Sequence, residues 1–135
     1  MKFFFIVFFI LSFQVFANHD KIDRDLINLM SSSNNNLIGI NLLKNEKYEK
    51  AIEFFKSQIK NDNSDSASNL GLIFEYYKND YIKAEKYYKI SALKGNAFGQ
   101  YNLGILNFIV KKNKKDGYRW IACSAKQGYL LELEA

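Results

Sequence analysis

The sequence predicts an all-α protein: a right-handed α-solenoid of about three helix-turn-helix repeats, preceded by a secretory signal peptide. Three observations carry that expectation. Residues recur at a spacing of 33. Apolar residues inside each recurring unit fall at helical intervals. Proline is absent from all 135 residues, so nothing in the chain carries the ring that breaks a helix interior.

The first segment differs from everything after it. Lys2 gives a short positive start, Phe3 to Leu11 is an unbroken apolar run, and Ser12 to Ala17 is less hydrophobic and ends in Val-Phe-Ala. That order is the n-, h- and c-region of a signal peptide over residues 1–17, with cleavage after Ala17. The run falls short of the roughly 20 residues a bilayer span requires. An uncleaved anchor is the alternative, because Phe13, Val15 and Phe16 lengthen the apolar stretch. No cysteine near the cut supports a lipid. Without the segment the chain has 18 basic and 14 acidic residues, a net charge of +4. That is mildly basic, and it favours solubility and acidic partners.

Residues 18–36 form an N-terminal helix and polar linker. Ile22, Leu26, Ile27 and Met30 share one helical face, and Ser31 to Asn36 is a polar run of serine and asparagine.

From residue 37 to 131 the chain repeats. Leu70-Gly71 returns as Leu103-Gly104, Ala92 as Ala125 and Gly95 as Gly128, all 33 residues on. Upstream, Ala51 returns as Ala84, Tyr48 as Tyr81, and Phe54-Phe55 as Tyr87-Tyr88. Gly39 precedes Gly71 by 32. Each unit holds two helical patterns. Leu70, Leu72, Ile73, Phe74 and Tyr77 form one apolar stripe; Tyr81, Ala84, Tyr87-Tyr88 and Ala92 form the next. Lys78 to Asp80 is a short polar turn between them.

The glycines divide into two kinds. Gly95 and Gly128 close the second helices, each at a position of positive φ that a residue without Cβ adopts cheaply. Gly71 and Gly104 sit inside first helices, where glycine costs up to about 1 kcal/mol against alanine. Their recurrence predicts a close approach of two helix backbones, with Ala84, Ala92 and Ala125 permitting the same. Gly99 has no assigned role beyond the first turn of its helix.

The stretch from Leu70 to Ala97 resembles a Sel1-like repeat, a relative of the tetratricopeptide repeat. Leu70, Gly71, Phe74, Lys83, Ala84, Tyr87, Tyr88, Ala92 and Gly95 fill that pattern. In the next unit Leu103, Gly104, Trp120, Ala125 and Gly128 fill it, while Asn107 replaces an aromatic and Gly117 an alanine. Asn45 to Asn63 is similar to the second helix of an ordinary tetratricopeptide repeat without its closing proline, and Gln58 stands where a small residue is usual. The family's glycine-rich loop between helices is shortened here. The resemblance runs from residue 33 to 131 and is densest from 66 to 128. It implies a helical stack with a curved groove, used as an adaptor for assembling complexes.

Tyr129 to Ala135 begins another first helix. It is expected to cap the last unit, residues 132–135 being the C-terminal end; a longer truncated array is the alternative.

Catalytic constellations are missing from the sequence. The single histidine, His19, lies next to the expected new amino terminus, and no phosphate-binding Gly-Lys-Ser/Thr motif occurs. No catalytic, cofactor-binding or metal-ligating residue is assigned, and no cofactor is expected. Cys123 is read as a small buried residue between Ala122 and Ala125, with a reactive or intermolecular thiol as the alternative. Lys111 to Lys115 is read as a solvated loop rather than a nucleic-acid or membrane-phosphate patch. In the aromatic pairs, one ring packs between helices and the other leans on the surface.

The expected function is therefore an exported, non-catalytic protein–protein interaction module, periplasmic or secreted. It would take a protein or peptide partner, with no nucleic acid and no stable membrane span after signal cleavage. The alternative is a regulator or inhibitor of a secreted or cell-wall enzyme, or a secreted effector acting on a host. Groove candidates are Ser68, Asn69 and Glu75 on the second first-helix and Tyr101, Asn102 and Phe108 on the third. Asn69 and Asn102 are one period apart, placed to form an amide ladder on a peptide backbone.

Overall fold

The structure, a computed structural model, describes residues 36–129. The signal segment, the helix expected after it, most of the serine-asparagine run, His19 and residues 130–135 lie outside the described residues. Among the described residues there are six α-helices and no strand: α1 (Leu37–Lys44), α2 (Tyr48–Lys60), α3 (Ser64–Leu72), α4 (Tyr81–Leu93), α5 (Ala97–Ile109) and α6 (Lys114–Lys126). A π-helical segment, Ile73–Tyr77, continues α3. The protein is all-α. Each helix packs on the next in the chain, and α3 also touches α5. The result is three consecutive helix-turn-helix pairs.

The turns repeat more strictly than the residues do. Every helix is followed by one residue in the left-handed region: Glu46, Asp62, Asn79, Gly95, Lys112 and Gly128, with φ between 50° and 81°. These positions are separated alternately by 16 and 17 residues, which sum to the period of 33. Gly95 and Gly128 are thus the predicted helix stops. The remaining four carry side chains at positions that glycine occupies without the Cβ clash. The next residue starts the following helix. Asn63, Asp80, Asn96 and Asn113 each accept a backbone N–H three residues on, at 3.0, 3.0, 3.0 and 3.3 Å. One left-handed residue plus one side-chain cap reverses the chain in the least possible length.

The interior glycines make sockets. A Cβ on Gly71 would run into the ring of Tyr88, and one on Gly39 into the ring of Phe55. Both rings belong to the partner helix of the same pair, and both are fully buried. The expected contact of backbones is therefore corrected at Gly71, where an aromatic side chain fills the space. It holds at Gly104, whose Cβ would lie 2.9 Å from the Gly117 carbonyl oxygen and 3.0 Å from the Ile121 nitrogen. Ile121 occupies the place of Phe55 and Tyr88, and Gly117 that of Ala51 and Ala84. A smaller plug lets the third pair close until the chains touch. Gly99 is also explained, since a Cβ there would strike the Ser91 side chain and approach the Ser68 hydroxyl.

Around these sockets lies one apolar core, including Ile40, Leu43, Phe55, Leu70, Ile73, Tyr88 and Leu103. The aromatic pairs divide as expected: Phe55 and Tyr88 are buried, Phe54 and Tyr87 half-buried. Between successive pairs, charges and amides bridge the joints. Lys78 pairs with Glu49 at 2.7 Å, Lys111 with Glu85 at 2.8 Å, and Lys94 with Asp62. The Asn96 amide donates to Asp65 Oδ1 at 2.6 Å, and the Gln127 amide to the Gly95 carbonyl at 2.9 Å.

Two outcomes follow. Gly71→Ala should destabilise by about 1–2 kcal/mol, the overpacking against Tyr88 outweighing alanine's helix preference. Pairing it with Tyr88→Leu should recover part of the loss in urea denaturation. Lys112→Gly, at a left-handed exposed position, should stabilise by up to about 1 kcal/mol. For a domain this small that is a rise of several degrees in thermal midpoint; a fall would mean that the Lys112 side chain holds more than its backbone strain costs.

Candidate functional site

The segment "SASNLGL" makes α3 unusual. From Ser66 through Leu72 every residue is buried, so this helix offers no exposed face. The predicted groove residues Ser68 and Asn69 are both 0% exposed. Their placement on an open surface is corrected: the Ser68 hydroxyl donates to Ser91 Oγ on α4 at 2.6 Å, and Asn69 lies inside the packing. Small side chains allow a helix to be enclosed on every side, and hydroxyls that pair with each other can be buried without penalty.

Surface returns at the π-helical segment and on α5. Glu75 is half-buried and accepts a 2.6 Å hydrogen bond from the Tyr88 hydroxyl. Burial pushes the Glu75 carboxyl above its ordinary value of 4.5, against the smaller opposing effect of the Tyr88 hydrogen bond. Burial and the adjoining Glu75 hold the Tyr88 phenol well above its usual range, so it remains a donor. Tyr76 is 43% exposed. Burial raises its phenol first, and Glu75, Tyr101 and Tyr81 raise it further. Tyr101 in turn meets the Tyr129 ring at 5.4 Å, and Tyr129 meets Phe98 at 5.9 Å.

Tyr101, Tyr129 and Phe98 form an aromatic strip by ring contact, while Tyr76 and Tyr81, each 43% exposed, stand on the preceding helix pair. Asn102 adjoins the strip in sequence on α5. Its side-chain Nδ2 is buried and has no hydrogen-bond partner, while its counterpart Asn69 is packed inside; the two amides form no ladder. Phe108 sits two turns along α5, half-buried, with its ring edge-on to Tyr118 at 5.2 Å. Of the six predicted residues, Tyr101 joins the strip through Tyr129, and Glu75 is engaged by Tyr88. Tyr76, Tyr129 and Phe98 are not among the groove residues named from the sequence.

Cys123 is exposed rather than buried. It borders a hollow of about 240 Å³ with Lys89, Asp116, Arg119 and Trp120. A second hollow, about 420 Å³, lies among Glu49, Ile52, Lys56, Phe74, Lys78, Asp80 and Lys83. There Lys78 is engaged by Glu49, and Lys83 by Asp80 at 3.1 Å. No cluster of three metal-ligating side chains occurs among the described residues. No described helix is long and apolar enough to cross a membrane. The lysine run is split: Lys111 to Asn113 form the turn, and Lys114 and Lys115 begin α6.

The fold and surface thus define a protein of paired helices with an aromatic strip on one side. Comparison of the chain with family models, with curated proteins and with solved structures finds no match.

The Glu75 pair predicts a pH dependence. A carboxyl raised in the folded state is stabilising in its protonated form, and that contribution is lost as pH rises through the folded value. Glu75→Gln keeps an acceptor for Tyr88 and removes the charge. It should melt higher than the parent at pH 7 and converge with it below pH 4.5. Equal midpoints at both pH values would show that Glu75 is not held under strain of burial.

Proposed function

We propose that this chain is an exported, non-catalytic protein–protein interaction module: a short right-handed α-solenoid of Sel1-like type that binds a peptide or protein through its first helices. The reading combines the signal-like start, the 33-residue period and the family resemblance of residues 66–128. The observation that carries the binding function is the aromatic strip of Tyr101, Tyr129 and Phe98, with the exposed Tyr76 on the preceding helix pair. Tyrosine concentrates at interfaces because it offers a large rigid apolar area and a polar tip, at little entropic cost on binding. Asn102 supports the same reading. A buried amide donor without an acceptor costs about 1–3 kcal/mol, a penalty that is tolerated most readily where function uses the residue. On this reading the protein acts in the periplasm or outside the cell, without cofactor or nucleic acid.

The test targets the strip rather than the buried Ser68 and Asn69, whose replacement would disturb packing. Tyr76→Ala with Tyr101→Ala should weaken retention of a partner isolated from periplasm or culture medium by about tenfold or more, as expected for interface tyrosines. Helicity should be unchanged. Retention equal to the parent would remove the strip from the binding site.

A further inference from the structure

Each helix pair closes through its own turn, and the third turn differs from the others in charge. At the first, Glu46 and Glu49 stand among Lys44, Lys47 and Lys50. At the second, both lysines are engaged, Lys78 by Glu49 at 2.7 Å and Lys83 by Asp80 at 3.1 Å. At the third, four lysines and one aspartate fall between residues 111 and 116. Glu85 on α4 holds Lys111 at 2.8 Å. Asp116 accepts from the Asn113 amide at 2.8 Å and faces Arg119 at 3.5 Å. Lys112, Lys114 and Lys115 are exposed, and they have no ion pair among the described residues.

Folding does not account for these three cations. Lys112 takes φ 54°, where glycine is the cheaper residue. Lys114 and Lys115 open α6, where the helix dipole disfavours positive charge. Each stands against its local preference, and no acidic side chain compensates it.

Apolar side chains beside them are equally open. Ile109 and Val110, at the end of α5, are 64% and 40% exposed. Seven consecutive residues, 109–115, are exposed. Tyr118 shares a face of α6 with Lys114 and Lys115. It is 62% exposed, and its ring meets Phe108 edge-on at 5.2 Å. Ile82, one turn before Glu85 on α4, is 83% exposed. The described chain ends at Tyr129, against Phe98 and Tyr101 at the far ends of α5 and α6. The length of a 13-residue helix, about 20 Å, separates that point from this turn.

Exposed aliphatic side chains next to unpaired lysines and an open tyrosine are the complement of an anionic lipid surface. Aliphatic tips enter the headgroup layer, tyrosine rests at its level, and ammonium groups meet the phosphates. A nucleic acid backbone would use the lysines and leave Ile109 and Val110 in water.

We infer that the turn between α5 and α6 docks the protein on an anionic lipid surface, with Ile109 and Val110 among the headgroups and Lys112, Lys114 and Lys115 on their phosphates. The contact is peripheral and reversible, because one apolar tip and three lysines fall well short of an inserted helix. It lies at the opposite end of α5 from the aromatic strip and stands or falls without it.

The test is co-sedimentation of the full chain with vesicles of phosphatidylcholine alone or with added phosphatidylglycerol. The apolar run from Phe3 to Leu11 is the same in every variant, so the quantity read is the gain in binding that the anionic lipid produces. That gain should be clear at low salt and shrink as salt rises. Lys112→Glu with Lys115→Glu should reduce it by at least about tenfold. Lys60→Glu with Lys126→Glu, the same change in net charge at exposed positions away from the turn, should leave most of it. Ile109→Ser with Val110→Ser should weaken it by about fivefold, and helicity should be unchanged in all three. Equal binding to both vesicles would overturn the inference, as would equal losses from the two charge reversals. Tighter retention by duplex DNA than by anionic vesicles, indifferent to the serine variant, would overturn it in favour of nucleic acid.

Discussion

The two-residue reversal sets everything else in this protein. A left-handed residue ends one helix, and the next residue opens the following one, through a side-chain cap in four of the turns. With no slack in the connection, helix length and rotation are fixed together. Sixteen or seventeen residues bring the chain back to the same phase, and the same faces meet at each crossing. Socket glycines, bridging lysines and buried serines then recur because the backbone returns to equivalent places, not because each contact is separately arranged.

The period has a local fault, which the structure absorbs. Gly39 precedes its turn residue by seven positions, whereas Gly71 and Gly104 precede theirs by eight. The surplus residue is taken up by wider coils. Ile73–Tyr77 is π-helical, and Lys78 N–H reaches back five residues to Ile73 O. At the end of α5, Lys111 N–H likewise reaches the Leu106 carbonyl at 3.2 Å. Such insertions turn the following side chains about the helix axis. At the end of α3 the consequence is concrete: Glu75 and Tyr76 emerge toward the surface directly after nine buried residues, Ser66–Phe74.

Much of the fold was legible from residues, and much of the site was not. The 33-residue spacing, the apolar stripes and the stops at Gly95 and Gly128 were open to reading because periodicity and positive φ leave direct marks in sequence. The Asn and Asp caps at 63, 80, 96 and 113 were equally visible, spaced by seventeen, sixteen and seventeen, yet only the glycines drew notice. Ser68 and Asn69 misled because a short polar side chain looks the same whether it faces water or a matching hydroxyl. Cys123 misled in the opposite direction: its place between Ala122 and Ala125 reads as packing, yet its side chain is exposed. The aromatic strip draws on two separated segments, and only packing brings Phe98 and Tyr101 against Tyr129.

The regularity of the reversals bears on how such a chain changes length over generations. Any window of one full period, wherever it is cut, starts and ends at the same phase of the backbone. Copying it in place would add one more helix pair and leave every existing crossing intact, whether the duplicated stretch began in a helix or at a turn. Deleting one would shorten the stack just as cleanly. Growth of this kind needs no new contact to be invented, and it makes copy number a freely adjustable property of the scaffold.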